Sequence, residues 1–116
     1  MRYMLIIHHD DAALAQAPQK ELWSEYAAFN QALQKAGEGF SGGLRLGPSK
    51  EATVVRTQSG KTDVLDGPYA DTREQLAGYF FIDVPTIEQA VEWATRCPSS
   101  KYGAIEIRPV VEQNAS

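Results

Sequence analysis

Tyr3, Met4, Leu5, Ile6 and Ile7 form an unbroken apolar run that ends at His8, which predicts a buried strand over 3–8. Residues 10–17 are small and read as a connection. Pro18 suits the first turn of a helix, where its missing N–H costs nothing. Leu22, Tyr26, Phe29 and Leu33 then recur at helical spacing, with Trp23 beside them and Gly37 as a stop. They predict a helix over 18–36 with one apolar stripe.

Glycine crowds 38–43, a short segment follows at 44–46, and Gly47-Pro48 breaks it. Thr53, Val54, Val55, Arg56 and Thr57 are rich in β-branched side chains and read as a strand. Ser59-Gly60 signals a hairpin turn, and 61–65 is the returning strand. A loop dense in turn, charged and aromatic residues occupies 66–78, with a short helical turn expected at 72–76. Tyr79, Phe80, Phe81 and Ile82 lead a strand to Val84 that is apolar on both faces, hence central.

Thr86 and Gln89 form a T-x-x-Q capping box for a second helix, with Ile87, Ala90, Val91, Ala94 and Cys97 on one face. Pro98 ends it, 99–103 connects, and the alternation over 104–110 predicts the last strand. Residues 112–116 read as a loose tail.

The order is β, α, hairpin, β, α, β, an α+β class in which an antiparallel sheet carries both helices on one face. The other face would be bare and apolar, and soluble proteins rarely leave such a face uncovered. A homodimer with two sheets facing each other is therefore expected, with a ligand cleft between them or at their rims.

Composition narrows the partners. The chain has 116 residues, 43% hydrophobic and 22% charged, ordinary for one soluble domain. Its net charge is −4 and no Lys/Arg cluster stands out, so nucleic acid is not an expected partner. The lone Cys97 cannot form an internal disulfide and fits a reducing cytoplasm. The first apolar run is too short for a signal-peptide core or a membrane span, so no membrane association is expected.

Several motifs carry a resemblance. Asp66-Gly67-Pro68-Tyr69, Glu74-Gln75-Leu76-Ala77-Gly78-Tyr79, Ile82-Asp83-Val84, Glu92-Trp93-Ala94, Cys97-Pro98 and Glu106-Ile107-Arg108-Pro109-Val110 span nearly the whole chain. With the opening Arg2-Tyr3-Met4-Leu5, the chain resembles the DGPF-domain branch of the YCII-related proteins. Tyr69 stands where the motif has Phe and keeps its aromatic body. The resemblance implies a ferredoxin-like βαββαβ fold, here with an extra hairpin, that dimerises into an α+β barrel. It also implies an enzyme-like site: relatives use a His/Asp pair, and one branch acts as a dehydrochlorinase on a chlorinated hydroxyquinol. DGPF members are associated with extracytoplasmic-function sigma factors.

The residues that could carry chemistry each have a structural reading as well. Asp66 before Gly67-Pro68 is a natural turn residue, or a general acid/base at the mouth of a cleft. Asp71 and Glu74 have the spacing of a capping pair, or could be paired carboxylates. Arg73 is a loop cation or an anion anchor. His8 and His9 look like a metal pair beside Asp10 and Asp11, but consecutive strand residues point to opposite faces. One of them facing the cleft as a titrating group is the better functional use. Glu106 and Arg108 share one face of the last strand, as an ion pair or as an acid and anion anchor.

The expected function is proton-transfer chemistry, elimination or isomerisation, on a small anionic or phenolic ligand. Asp66 is its acid/base, assisted by His8, His9 or Glu74. Gly67, Pro68, Tyr69, Arg73, Arg108 and Tyr79 contact the ligand. No zinc spacing, phosphate loop, nucleophile elbow or dinucleotide fingerprint is present, so no metal or cofactor is invoked. The alternatives are a non-catalytic binding or regulatory module, for which the resemblance implies a link to sigma-factor signalling, and a ligand-free dimer locked by the 66–78 loop.

Overall fold

The computed structural model describes residues 1–70 and 72–111, without the side chains of residues 40–42. Asp71 of the expected capping pair and the expected tail at 112–116 lie outside the described residues. The order is β1 (Arg2–Asp10), α1 (Asp11–Ala15), α2 (Gln19–Ala36), β2 (Gly39–Arg45), β3 (Thr53–Gln58), β4 (Lys61–Asp66), β5 (Glu74–Asp83), α3 (Ile87–Arg96) and β6 (Gly103–Pro109). One sheet has strand order β2-β5-β1-β6 and is antiparallel throughout. The structure is α+β, and this order is compatible with a ferredoxin-like arrangement. β3 and β4 form a separate two-stranded sheet.

The core lies on one side of the larger sheet. Tyr3, Leu5 and Ile7 alternate along β1 and meet Ile82 and Val84, with Phe29 and Leu33 of α2 and Ala90, Trp93 and Ala94 of α3. Both helices thus pack on one face. Leu5 and Ile82 are fully buried, each burial stabilising by roughly 1.5–3 kcal/mol before cavity effects. Phe29 meets Trp93 edge-on at 5.9 Å, which closes α2 against α3.

α2 follows the expected stripe, with Leu22, Phe29 and Leu33 buried and Gly37 left-handed at its end. α3 departs from its expected face. Ala90, Trp93, Ala94 and Cys97 are buried, while Ile87 and Val91 stay exposed. The helix turns its largest ring inward, where the Trp93 indole N–H donates to Glu38 Oε2 at 2.6 Å. Of the capping box, the Thr86 hydroxyl accepts from the Gln89 backbone N–H at 3.3 Å. The Gln89 side chain meets that hydroxyl, also at 3.3 Å, rather than the backbone of Thr86.

Other expectations are corrected. The connection at 10–17 contains α1, capped by Asp10, whose carboxylate accepts from Ala12 and Ala13 N–H at 3.1 and 3.3 Å. The glycine-rich stretch and the short segment after it are one element: β2 runs through Gly39–Arg45. No helical turn forms at 72–76; β5 already begins at Glu74. The Gln75 side chain ends the loop instead, donating to the Ala70 and Thr72 carbonyls at 2.7 and 2.8 Å. A 3-10 turn, Pro98–Lys101, fills the connection before β6.

The β3–β4 hairpin turns through Ser59 and Gly60, at φ 52° and 76°. Positive φ at both central residues is the type I′ geometry that matches strand twist. The hairpin exposes Val55, Val64 and Leu65. The radius of gyration is 16.3 Å, against about 13 Å for a compact chain of this length.

Candidate functional site

The face of the sheet away from the helices holds the site. On β1 the even residues Met4, Ile6 and His8 take this face, opposite the buried odd set. Ile6 lies opposite Tyr79 on β5 and Glu106 on β6. A register shift between Ile7 and His8 then sets His8 against Leu76 and Ala104. His8 Nε2 and Glu106 Oε1 are 2.9 Å apart, diagonally across two strands. An ionised carboxylate only accepts, so the proton of neutral His8 sits on Nε2 and Nδ1 keeps its lone pair. Arg108 Nε stands 4.0 Å from Glu106 Oε2, on the same strand face.

A cleft of about 640 Å³ opens beside this pair. His8, Leu76 and Glu74 form its floor. One wall is the segment from Leu46 to Val54; the other is Pro68, Tyr69, Ala70 and Thr72. The cleft thus gathers His8, Glu74, Pro68 and Tyr69 from three separate parts of the chain. The loop wall is shaped by Gly67, at φ 113°, whose N–H donates to Ala52 O at 2.7 Å. A side chain at that φ is strained, so the turn favours glycine. Tyr69 is 80% exposed, with the Arg56 guanidinium 5.9 Å from its ring centroid.

The other expected residues sit apart from the cleft lining. Asp66 ends β4, paired with Thr53 and exposed. Arg73 donates from Nε to Asp10 Oδ2 at 2.7 Å. That hydrogen bond, with the Ala13 N–H, holds the Asp10 carboxyl below its ordinary range. The link ties the loop's end to the cap of α1. Tyr79 lies on the open face and meets Phe81 edge-on at 5.8 Å. The alternation over the last strand placed Glu106 and Arg108 on one shared face without deciding which, and the tie of Glu106 to His8 has no local signal.

His9 faces the opposite way. It is 9% exposed, and its Nε2 is buried with no hydrogen-bond partner among the described residues. It lines a cavity of about 720 Å³ beneath α2, with Ile7, Leu22, Phe29, Phe80 and Arg45. Burial pushes its pKa below the ordinary 6.5; Arg45 adds to this and Asp11 opposes it. At the back of the cavity, the Tyr26 hydroxyl hydrogen-bonds Ser99 and stands 3.7 Å from Cys97 Sγ. Burial raises the pKa of both the phenol and the thiol, which suits packing groups rather than a nucleophile.

A four-stranded antiparallel sheet with helices on one face and a largely apolar cleft, carrying His8 and Glu74, on the other defines a small α+β protein. The chain belongs to the YCII-related domain family, whose model matches residues 1–114. It is similar to an uncharacterized protein of Rhizobium meliloti (strain 1021), 28% identical over 115 residues that cover 95% of this chain and 92% of the relative. Among the described residues no helix is long and apolar enough to cross a membrane.

Proposed function

We propose that this chain is a homodimeric, enzyme-like member of the DGPF branch, acting in the cytoplasm on a small anionic or phenolic ligand. The observation that carries the reading is the His8–Glu106 hydrogen bond of 2.9 Å beside the open-face cleft, which His8 lines. A carboxylate that holds one ring nitrogen presents the other as a general base of fixed orientation. His8 Nδ1 abstracts a proton from the ligand, and Glu106 stabilises the imidazolium that forms. The His8 imidazolium then returns that proton to the product or leaving group, and Glu74, which lines the same cleft, assists by orienting the ligand. Pro68 and Tyr69 shape the wall, and Arg108 draws the anion. Asp66, away from the lining, sets the turn that carries Pro68 and Tyr69. The reaction class is elimination or isomerisation.

Deuterium uptake from D2O into a panel of 2-oxo acids, and chloride release from chlorinated phenols, tests the reading. Wild-type turnover of at least one compound is expected to fall by about 10²-fold or more in His8→Gln. Equal turnover in that variant, or no turnover of any compound, removes the acid/base assignment.

The second reading is a non-catalytic module bound to an alternative sigma factor. Its support is the exposure of Tyr69 beside the exposed Val55, Val64 and Leu65 of the hairpin. An aromatic residue next to apolar ones on a projecting element is a natural anchor for a partner. Co-purification of a sigma factor with wild type but not with Tyr69→Ser would favour this reading.

A further inference from the structure

The cavity beneath α2 is independent of the open-face cleft, since it lies on the other side of the sheet. Its walls are mostly apolar, with Ile7 and Phe80 from the sheet and Leu22 and Phe29 from α2, beside polar Asn30 and Gln34. Two of the polar groups in this lining, His9 and Arg45, bear on what it could hold. His9 Nε2 is buried and unpartnered among the described residues. Such a group costs roughly 1–3 kcal/mol unless something bonds to it. The Arg45 guanidinium lies over the Trp23 ring, 4.8 Å from its centroid. No carboxylate among the described residues forms an ion pair with it. An apolar cavity with a few convergent polar groups is the usual form of a small-molecule site.

The charge pattern selects the ligand class. A neutral imidazole can donate a hydrogen bond inside an apolar wall without carrying charge, and Arg45 supplies one unpaired cation. Arg45 is exposed at the mouth of the cavity, so a neutral ligand would gain nothing from its charge, whereas a carboxylate would gain charge-assisted hydrogen bonds. A ligand with several charges would bring groups that the apolar walls cannot solvate. We propose that the cavity binds a hydrophobic carboxylic acid, its carboxylate on Arg45 and His9 and its planar apolar body between α2 and the sheet.

The probe is 2-naphthoate, with 2-naphthylmethanol as the uncharged match, titrated into the full chain by calorimetry and by amide and indole NMR. Saturable binding of naphthoate at one site per chain is expected, with the Trp23 indole and residues of β2 shifting. The alcohol should bind about tenfold more weakly or worse, and Arg45→Gln should weaken naphthoate by a similar factor. Arg45→Gln should leave the proton exchange that depends on His8 unchanged, so the two sites fail separately. Equal binding of acid and alcohol would mean a nonspecific apolar pocket and would overturn the proposal. So would the absence of saturable binding, shifts confined to the open sheet face, or full affinity in Arg45→Gln.

Discussion

His8 and His9 are neighbours on β1 and lie on opposite faces of its sheet. His8 is bound to Glu106 beside the open cleft, while His9 is buried under α2 with its Nε2 unpartnered. The period of two along a strand separates them into two environments and two kinds of chemistry. One imidazole is oriented by a carboxylate within reach of solvent. Burial lowers the pKa of the other, which favours its neutral form.

The burial of His9 makes folding stability depend on pH. Its folded pKa is lowered below 6.5, while the unfolded chain protonates near that ordinary value. Well above it, His9 is neutral in both states and its contribution is fully present. As pH falls, the unfolded state takes up a proton first, so stability declines until the lowered folded pKa is reached, then levels off. The slope in that window approaches, at most, about 1.4 kcal/mol per pH unit. Urea unfolding of wild type and His9→Gln from about pH 8 to about pH 5 should show this extra loss in wild type alone. Parallel stability curves would mean that His9 is not held neutral.

The His8–Glu106 pair should matter far more to turnover than to folding. Both side chains are substantially exposed, at 29% and 47%. Pairs of that exposure couple by less than about 1 kcal/mol. A double-mutant cycle with His8→Gln and Glu106→Gln should return a coupling in that range from urea unfolding. In the same variants, proton exchange into an accepted ligand should drop by about 10²-fold or more. A large stability coupling with unchanged exchange would make the pair a structural clasp.

The legible parts of the fold were those whose signal is local. The α2 stripe at Leu22, Phe29 and Leu33 and the hairpin turn at Ser59-Gly60 follow from spacing and backbone preference, and both stand in the structure. The α3 face was misread because counting aliphatic residues favoured Ile87 and Val91 over Trp93. Trp93 is inside because its indole N–H finds Glu38, 55 residues away in sequence. The start of β5 was hidden because Glu74 and Gln75 look like loop residues. Glu74 is exposed at the strand's end, and the Gln75 side chain is engaged with loop carbonyls. Within the site, the alternation along β1 separated His8 from His9. The partner of His8 lies 98 residues away and could come only from the register of β1 against β6.

That register depends on Gly103. A Cβ built there would fall on the backbone carbonyl oxygen of His8, on the neighbouring strand. Backbone cannot step aside as a flexible side chain can, so β1 and β6 must separate where His8 and Glu106 meet. Gly103→Ala should destabilise the fold by about 1–3 kcal/mol or more, the range of overpacked sites. It should also move the His8 ring resonances in NMR spectra, because the His8–Glu106 distance is set by the same pairing. A variant with wild-type stability and unshifted His8 signals would show that this edge is looser than the structure has it.

The open face tests the dimer. Met4, Ile6 and Tyr79 share it with His8, beyond the reach of both helices, and the β3–β4 hairpin adds exposed Val55, Val64 and Leu65. Apolar surface of this extent is usually covered. A second copy would supply an identical sheet and an identical hairpin, so a two-fold contact would cover both at once. Ile6 stands at the centre, between Tyr79 and Glu106. Arginine there would place one cation from each copy near the two-fold axis, where two like charges would be desolvated together. Sedimentation equilibrium should give wild type twice the chain mass of 12.8 kDa and Ile6→Arg the mass of one chain. The Ile6→Arg monomer should keep its far-ultraviolet circular dichroism, since its side chain lies outside the helix-side core. Wild type sedimenting as a single chain would remove the partner from the proposed site and leave the cleft beside His8 and Glu106 open to solvent.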